Sequence, residues 1–328
     1  MAQRVLVTMK IPECGIGVLE RAGLLVEASE RSVPMARDEL VERAAACDAL
    51  VCMLADRIDA ALLDASPQLK AIANFAVGID NVDVAAATAR GIPVTNTPGV
   101  LTEATAELAW ALILAAARRV VEGDRLVRSG GFTGWAPTML RGVQRSGAAR
   151  AIVGAGRIGT AAGLRAKAFG MRVLYFDKHR SERLEADGAR RAELDEVLRE
   201  SDIVSLHLPL TDETRHLIGA AELSRMKPTA VLVNTGRGAL VDEAALVEAL
   251  RERRIAAAGL DVYEREPALT PGLAALDNVV LLPHLGSATM AARDKMAAMA
   301  TESVVAILDG RRPEHCVNPE VFDEPGGG

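Results

Sequence analysis

The chain has 328 residues, half of them hydrophobic and a quarter charged, with a formal net charge of −6. That length accommodates two domains, each with its own core. No basic block stands out, which argues against a phosphate-binding footprint and nucleic-acid partners, and no apolar run reaches the length of a membrane span.

Taken in chain order, the apolar runs at 4–9, 49–54, 70–75 and 92–97 read as strands. The stretches 36–46 and 81–91 between them carry helical periodicity, the second closing at Gly91 as a helix-ending glycine does. "NTPGVLT" breaks this series with Pro98 and Gly99. Thr102 is the expected N-cap of an Ala-rich helix over about 103–119. A second series follows, with strands expected at 151–154, 171–177, 202–209, 230–235, 255–262 and 279–284. Ser287 is the expected cap of a last long helix, and the terminal "DEPGGG" reads as loop. Strands alternating with helices mean parallel sheets, so two α/β domains are expected.

With aromatics at only 3%, the cores must be filled by Ala, Val, Leu and Ile. Cys14, Cys47, Cys52 and Cys316 are scattered, with no C-x-x-C pair and no metal-ligand spacing. That is the usage of reduced thiols, and the N-terminus has a strand pattern rather than a signal peptide's apolar core, so a cytoplasmic protein is expected.

"AIVGAGRIGTAAGL" places Gly154, Gly156 and Gly159 in G-x-G-x-x-G spacing, after a strand and at the opening of a helix. In that context the first glycine allows a tight turn, the second lets a pyrophosphate approach the backbone, and the third lets helix pack on strand. The amides of Arg157 and Ile158 would meet the anion at the helix N-terminus. The next strand ends at Asp177, where a carboxylate can bind ribose hydroxyls. A dinucleotide site is therefore expected.

Three later strand ends carry charged groups: Arg237 in "NTGRG", Glu266 in "LDVYEREP" and His284 in "VVLLPH". Singly, each reads as a solvated loop residue or a satisfied histidine. In a parallel sheet all three fall on the carboxyl edge, where ligands bind and where the glycine loop lies.

With "FAVGIDNVD", "GIPVTNTPGVLTEATAELA", "VGAGRIG", "SLHLPLTDETRHLI", "MKPTAVLVNTGRGALVDE", "AGLDVYEREP" and "LLPHLGSAT" in this order, the chain resembles the D-2-hydroxyacid dehydrogenases. It is most similar to their glyoxylate and hydroxypyruvate reductase branch. The resemblance implies an α/β protein of two Rossmann-like or flavodoxin-like domains with parallel sheets. A dinucleotide-binding Rossmann domain, 101–287, would be inserted in a discontinuous substrate domain, 1–100 plus 288–328, with catalysis in the cleft between them.

On the residues themselves, protonated His284 would give a proton to the keto oxygen while a reduced nicotinamide delivers hydride. Glu266 would orient the imidazole and favour its cationic form. Arg237 would clamp the substrate carboxylate and polarise the carbonyl. The amides of Val77 and Gly78 can form an anion-binding nest for the same carboxylate, and Leu54 resembles the family's apolar contact to a small substrate tail. Thr105, Leu208, Pro209, Thr214, Thr235, Asp261, Gly286 and Ser287 match positions that contact the cofactor or order the site; for each Thr and Ser a capping role is the alternative. Asp177 points to NAD, while Lys178, His179 and Arg180 leave NADP open. Glyoxylate and hydroxypyruvate are the expected substrates, and a homodimer through about 100–145, with Trp135 reaching toward the neighbour, is the expected assembly.

Other readings differ in kind. A same-fold methyltransferase would leave the Arg–Glu–His set without a task. A short-chain dehydrogenase needs a lysine four residues after a tyrosine, which neither Tyr175 nor Tyr263 has. A family member of phosphoglycerate or D-lactate type and a dinucleotide-sensing corepressor also stand as alternatives. One departure from relatives is "GAARA" before the glycine loop: Ala148 stands where lysine is usual and Arg150 where an apolar residue is. Arg150 is expected at a strand end, its stem over apolar surface and its head in solvent.

Overall fold

The computed structural model describes residues 2–323, so the reading of 324–328 as loop lies outside the described residues. The chain forms two compact units, one running to Leu101 and resuming at Ala288, the other spanning Thr102–Ser287. Both are α/β with parallel sheets.

The first unit holds β1 (Arg4–Val7), β2 (Leu25–Ala28), β3 (Ala49–Cys52), β4 (Ala71–Asn74) and β5 (Val94–Thr95). They pair in the order β2-β1-β3-β4-β5, every strand pairing parallel. β3 and β4 are buried along their whole length, as strands covered on both faces must be. β2 escapes the sequence pattern because it is an edge strand, half-exposed and interrupted by Glu27. The helix Glu13–Arg21 packs on the helix Met290–Leu308 at Gly15, where a Cβ would lie 2.9 Å from that of Ala297. Thr289, not Ser287, caps the last helix, its hydroxyl accepting the Ala292 amide at 3.2 Å.

The second unit holds β6 (Ala149–Val153), β7 (Arg172–Phe176), β8 (Arg190–Arg191), β9 (Ile203–Leu206), β10 (Val231–Asn234), β11 (Ala257–Leu260) and β12 (Val279–Leu281). Their order is β12-β11-β10-β9-β6-β7-β8, all parallel, so the strand order reverses between β6 and β9. That reversal is the switch point at which such sheets bind ligands. Alternate residues serve two cores: Leu232 packs with Leu206, Leu246 and Leu260 on one face, and Val231 and Val233 pack with Leu112 and Ile113 on the other. Each such fully buried aliphatic side chain is worth about 1.5–3 kcal/mol. The unpredicted β8 is a two-arginine edge strand with no apolar signal.

The Ala-rich helix is Thr102–Ala117, and Thr102 is its first residue rather than its cap. Arg119, at φ 54°, breaks the path before a second helix, Val120–Arg128. Among the described residues, no helix is long and apolar enough to cross a membrane.

Arg150 is the clear departure from expectation. It is the second residue of β6 and fully buried, not a strand-end residue with its head in solvent. Its guanidinium lies over the Trp110 ring at 4.5 Å, and Nη1 donates to the Ala162 carbonyl at 2.9 Å. An inner strand of a doubly covered sheet offers a side chain in that register no route to water.

Candidate active site

The glycine loop connects β6 to the helix Arg157–Leu164. Gly154 sits at φ +98°, where a Cβ would come within 2.7 Å of the Leu208 nitrogen. A Cβ on Gly159 would lie 1.9 Å from the Gly154 carbonyl oxygen, so only glycine lets the helix close on the strand. At Gly156 a Cβ would meet open space within 4 Å. Among the described residues the Arg157 and Ile158 amides have no hydrogen-bond partner. Bare helix-start amides beside an open position suit a phosphate. Asp177 follows β7, one oxygen accepting the Ala155 amide at 2.7 Å and the other the His179 amide at 2.9 Å. Each oxygen keeps a further lone pair for a hydroxyl. These features fit a dinucleotide.

Lys178 pairs with Glu213, and Arg180 with Glu185 at 2.5 Å. Lys178 and Arg180 are thus engaged by acids of the same unit.

β10, β11 and β12 are neighbours, so their carboxyl ends bring Arg237, Glu266 and His284 to the edge that also carries the glycine loop. Glu266 Oε2 lies 3.0 Å from His284 Nδ1, and Oε1 accepts the Tyr263 amide at 3.0 Å. Burial alone would raise the Glu266 carboxyl. The hydrogen bond and charge of His284, the Tyr263 amide and the Arg237 charge outweigh it and hold the group below its ordinary value. His284 adopts φ 55°, a left-handed conformation uncommon for a residue with a side chain. Asp261 holds it there: its carbonyl accepts the His284 amide at 2.9 Å, and its carboxylate accepts the Leu285 and Gly286 amides at 2.6 and 2.8 Å. Burial raises the Asp261 carboxyl against the pull of these donors and of His284.

Arg237 is half-buried, and its Nη1 donates to the Gly236 carbonyl at 3.0 Å. Its turn is set by Asn234, whose side chain donates to the Arg237 carbonyl at 2.8 Å and accepts the Gly236 amide at 3.0 Å. Glu243, buried, accepts the Glu264 amide at 2.7 Å and the Thr270 hydroxyl at 2.6 Å, which fixes the loop carrying Glu266. Neither residue is singled out by the sequence reading. An asparagine closing an apolar run was the available signal for the first; a helix-start glutamate gave none for the second.

Several expected cofactor positions turn out to order the edge. Thr105 is buried and donates to the Gly286 carbonyl at 2.9 Å. Thr214 donates to the Pro209 carbonyl at 2.8 Å and accepts the Thr211 amide at 2.8 Å, shaping the turn after Leu208 and Pro209. Thr235 is buried at the end of β10 beside His207, and Ser287 is half-buried where the second unit ends.

In the first unit, Leu54 follows β3, and Val77 and Gly78 follow β4. Asn74 donates to the Gly78 carbonyl and Asn96 to the Val77 carbonyl, each at 2.7 Å. With both carbonyls held, the Val77 and Gly78 amides have no partner among the described residues, the condition for an anion nest. Asn81, also missed by the sequence reading, donates to the Met53 and Asp56 carbonyls at 3.0 and 3.1 Å and so ties the Leu54 turn to the Gly78 turn. Among the described residues no group of His, Cys, Asp and Glu could hold a metal.

Residues 110–286 match the family model described as "D-isomer specific 2-hydroxyacid dehydrogenase, NAD binding domain". A glyoxylate reductase of Aeropyrum pernix is 55% identical, covering 90% of each chain, and one of Thermococcus onnurineus is 50% identical, covering 98% of each. A crystal structure from Thermus thermophilus superposes with a TM-score of 0.90 at 47% identity, covering 96% of this chain and 99% of that one. An NADPH-dependent glyoxylate/hydroxypyruvate reductase from Sinorhizobium meliloti, solved with NADP and malonate, gives 0.82 at 34% identity with both chains fully covered.

Proposed function

The chain belongs to the D-isomer specific 2-hydroxyacid dehydrogenase family, and from that premise we propose that it reduces glyoxylate and hydroxypyruvate to glycolate and D-glycerate, using NADH and, less well, NADPH. The observation that carries this reading is the His284–Glu266 pair at the same sheet edge as the glycine loop. A bound reduced nicotinamide supplies hydride. His284 has Nδ1 committed to Glu266, so Nε2 is the nitrogen that gives a proton to the forming alkoxide. Glu266 holds the ring in that orientation and balances its charge. Arg237 binds the substrate carboxylate and polarises the keto group, and the unpartnered Val77 and Gly78 amides of the first unit offer an anion nest. Gly154, Gly156, Gly159, Arg157 and Ile158 hold the pyrophosphate, and Asp177 the ribose. Leu54 limits the substrate to a short tail. The enzyme acts as a cytoplasmic homodimer.

A panel of 2-keto acids assayed with NADH and with NADPH tests this reading. The highest kcat/KM is expected for glyoxylate or hydroxypyruvate. A higher value for 3-phosphohydroxypyruvate, phenylpyruvate or pyruvate, or no turnover of any 2-keto acid, overturns it.

A further inference from the structure

Arg150 is a buried cation with no carboxylate among its contacts. It donates from Nη1 to the Ala162 carbonyl at 2.9 Å and from Nη2 to Ser205 Oγ at 3.5 Å, and its Nε has no partner. Burial, reinforced by the charge of Arg165, pushes it down to about 9, so it remains charged at neutral pH. Burying such a charge is costly, and stacking on Trp110 offsets only part of the cost. Its removal would strand nothing. The Ala162 carbonyl also accepts Trp110 Nε1 at 2.9 Å, and Ser205 also bonds His207. Stability therefore does not account for an arginine here.

What it touches leads to the cofactor edge. Ser205 Oγ lies 2.7 Å from His207 Nε2, and His207 Nδ1 lies 3.4 Å from the Thr235 hydroxyl, at the end of β10 beside Gly236 and Arg237. The chain of contacts has one well-satisfied direction. Ser205 is fully buried, and its hydroxyl hydrogen has no acceptor other than His207 among the described residues. The Arg150 charge favours the lone-pair nitrogen of the imidazole on its own side, because an N–H pointed at a cation is repelled. Nε2 is then the acceptor, Nδ1 carries the hydrogen and donates to Thr235, and the Thr235 proton has no acceptor among the described residues. Although part of His207 reaches the surface, burial of the ring and the Arg150 charge push it down to about 3, so it is neutral at working pH.

We propose that Arg150 is a positioning residue that fixes His207 as the Nδ1–H tautomer through Ser205, and thereby turns the Thr235 hydroxyl proton outward, as a donor to a nicotinamide dinucleotide bound at this edge. The cofactor half of this inference rests on the proposed function; the tautomer half does not.

Long-range ¹⁵N–¹H spectra of imidazole-labelled apoprotein, with His207 assigned by its loss in H207N, read the tautomer directly. Wild type and Arg150→Lys are expected to show Nδ1–H, and Arg150→Met a measurable Nε2–H population. In assays, R150M is expected to raise KM for NADH about two- to tenfold, the worth of one hydrogen bond, with kcat within about twofold and Tm unchanged or higher. Should R150M fail to fold, Ser205→Ala breaks the same link and is expected to release the tautomer equally. An Nε2–H wild type, or an unchanged tautomer in R150M or S205A, overturns the proposal. A released tautomer with unchanged KM overturns the cofactor half. Absence of any 2-keto acid turnover, with the tautomer shift observed, overturns the proposed function instead.

Discussion

His284 and Glu266 meet through Nδ1 and Oε2 at 3.0 Å, while the other carboxylate oxygen is pinned by the Tyr263 amide at the same distance. The carboxylate is thus fixed at both ends, and the imidazole it orients keeps Nε2 for chemistry. His284→Ala and Arg237→Ala should each lower kcat/KM by about a hundredfold or more while NADH binding persists. Glu266→Gln keeps the shape and removes the charge, so its loss should fall mainly on kcat. The Glu266 carboxyl is depressed on folding, so its stabilising contribution is present above its unfolded value, about 4.3, and is lost as pH falls through the lower folded value. Thermal melts from pH 6 to 3 should show E266Q losing less stability than wild type; equal losses would remove Glu266 from that role.

Gly238 decides how the Arg237 turn meets the Glu266 loop. A Cβ there would lie 1.8 Å from the Tyr263 carbonyl carbon, and backbone cannot yield as a flexible side chain can. Gly238→Ala should cost more than about 3 kcal/mol or displace the turn. Either outcome lowers activity at least tenfold, and chemical denaturation with kinetics on the same preparation measures both. A variant with wild-type stability and activity would contradict this packing.

Cofactor choice should rest on Asp177, since Lys178 and Arg180 are already paired with Glu213 and Glu185. Removing the carboxylate in Asp177→Ser should shift the NADPH-to-NADH ratio of kcat/KM upward by about tenfold or more. The double variant D177S/E185Q, which frees Arg180, should shift it further. A wild type that prefers NADPH would show that another group discriminates.

Trp135 is 82% exposed and Phe132 49%, in a loop rich in glycine. Large exposed aromatics of this kind mark partner surfaces. Light scattering at micromolar concentration should give twice the chain mass, and Trp135→Ala should weaken the dimer. A monomeric wild type would refute this assembly.

The glycine loop was legible because its requirements are local: a strand, a turn at positive φ and a helix start all lie within fourteen residues, "AIVGAGRIGTAAGL". The same holds for the inner strands, whose unbroken apolar runs announce burial on both faces. β2 and β8 were not legible, because an edge strand pairs on one side and can carry Glu27 or two arginines. The last helix's cap also moved: Thr289, not Ser287, accepts the Ala292 amide, while Asp261, distant in sequence, holds the Leu285 and Gly286 amides just before it.

By itself the sequence determined the alternation of strands and helices and the strand–glycine turn–helix loop, since these depend on residue type and short spacing; Arg237, Glu266 and His284 stood out only together, as charged groups at the ends of parallel strands. Tertiary structure alone decided that Asn234 sets the Arg237 turn, that Glu243 fixes the loop carrying Glu266, and that Asn81 ties the Leu54 and Gly78 turns of the first unit, because each acts through backbone hydrogen bonds that the sequence does not announce. It alone also placed Arg150 in the core. Whether a long cationic side chain reaches water depends on which helices cover its strand, and here Trp110 and Ala162 close over it.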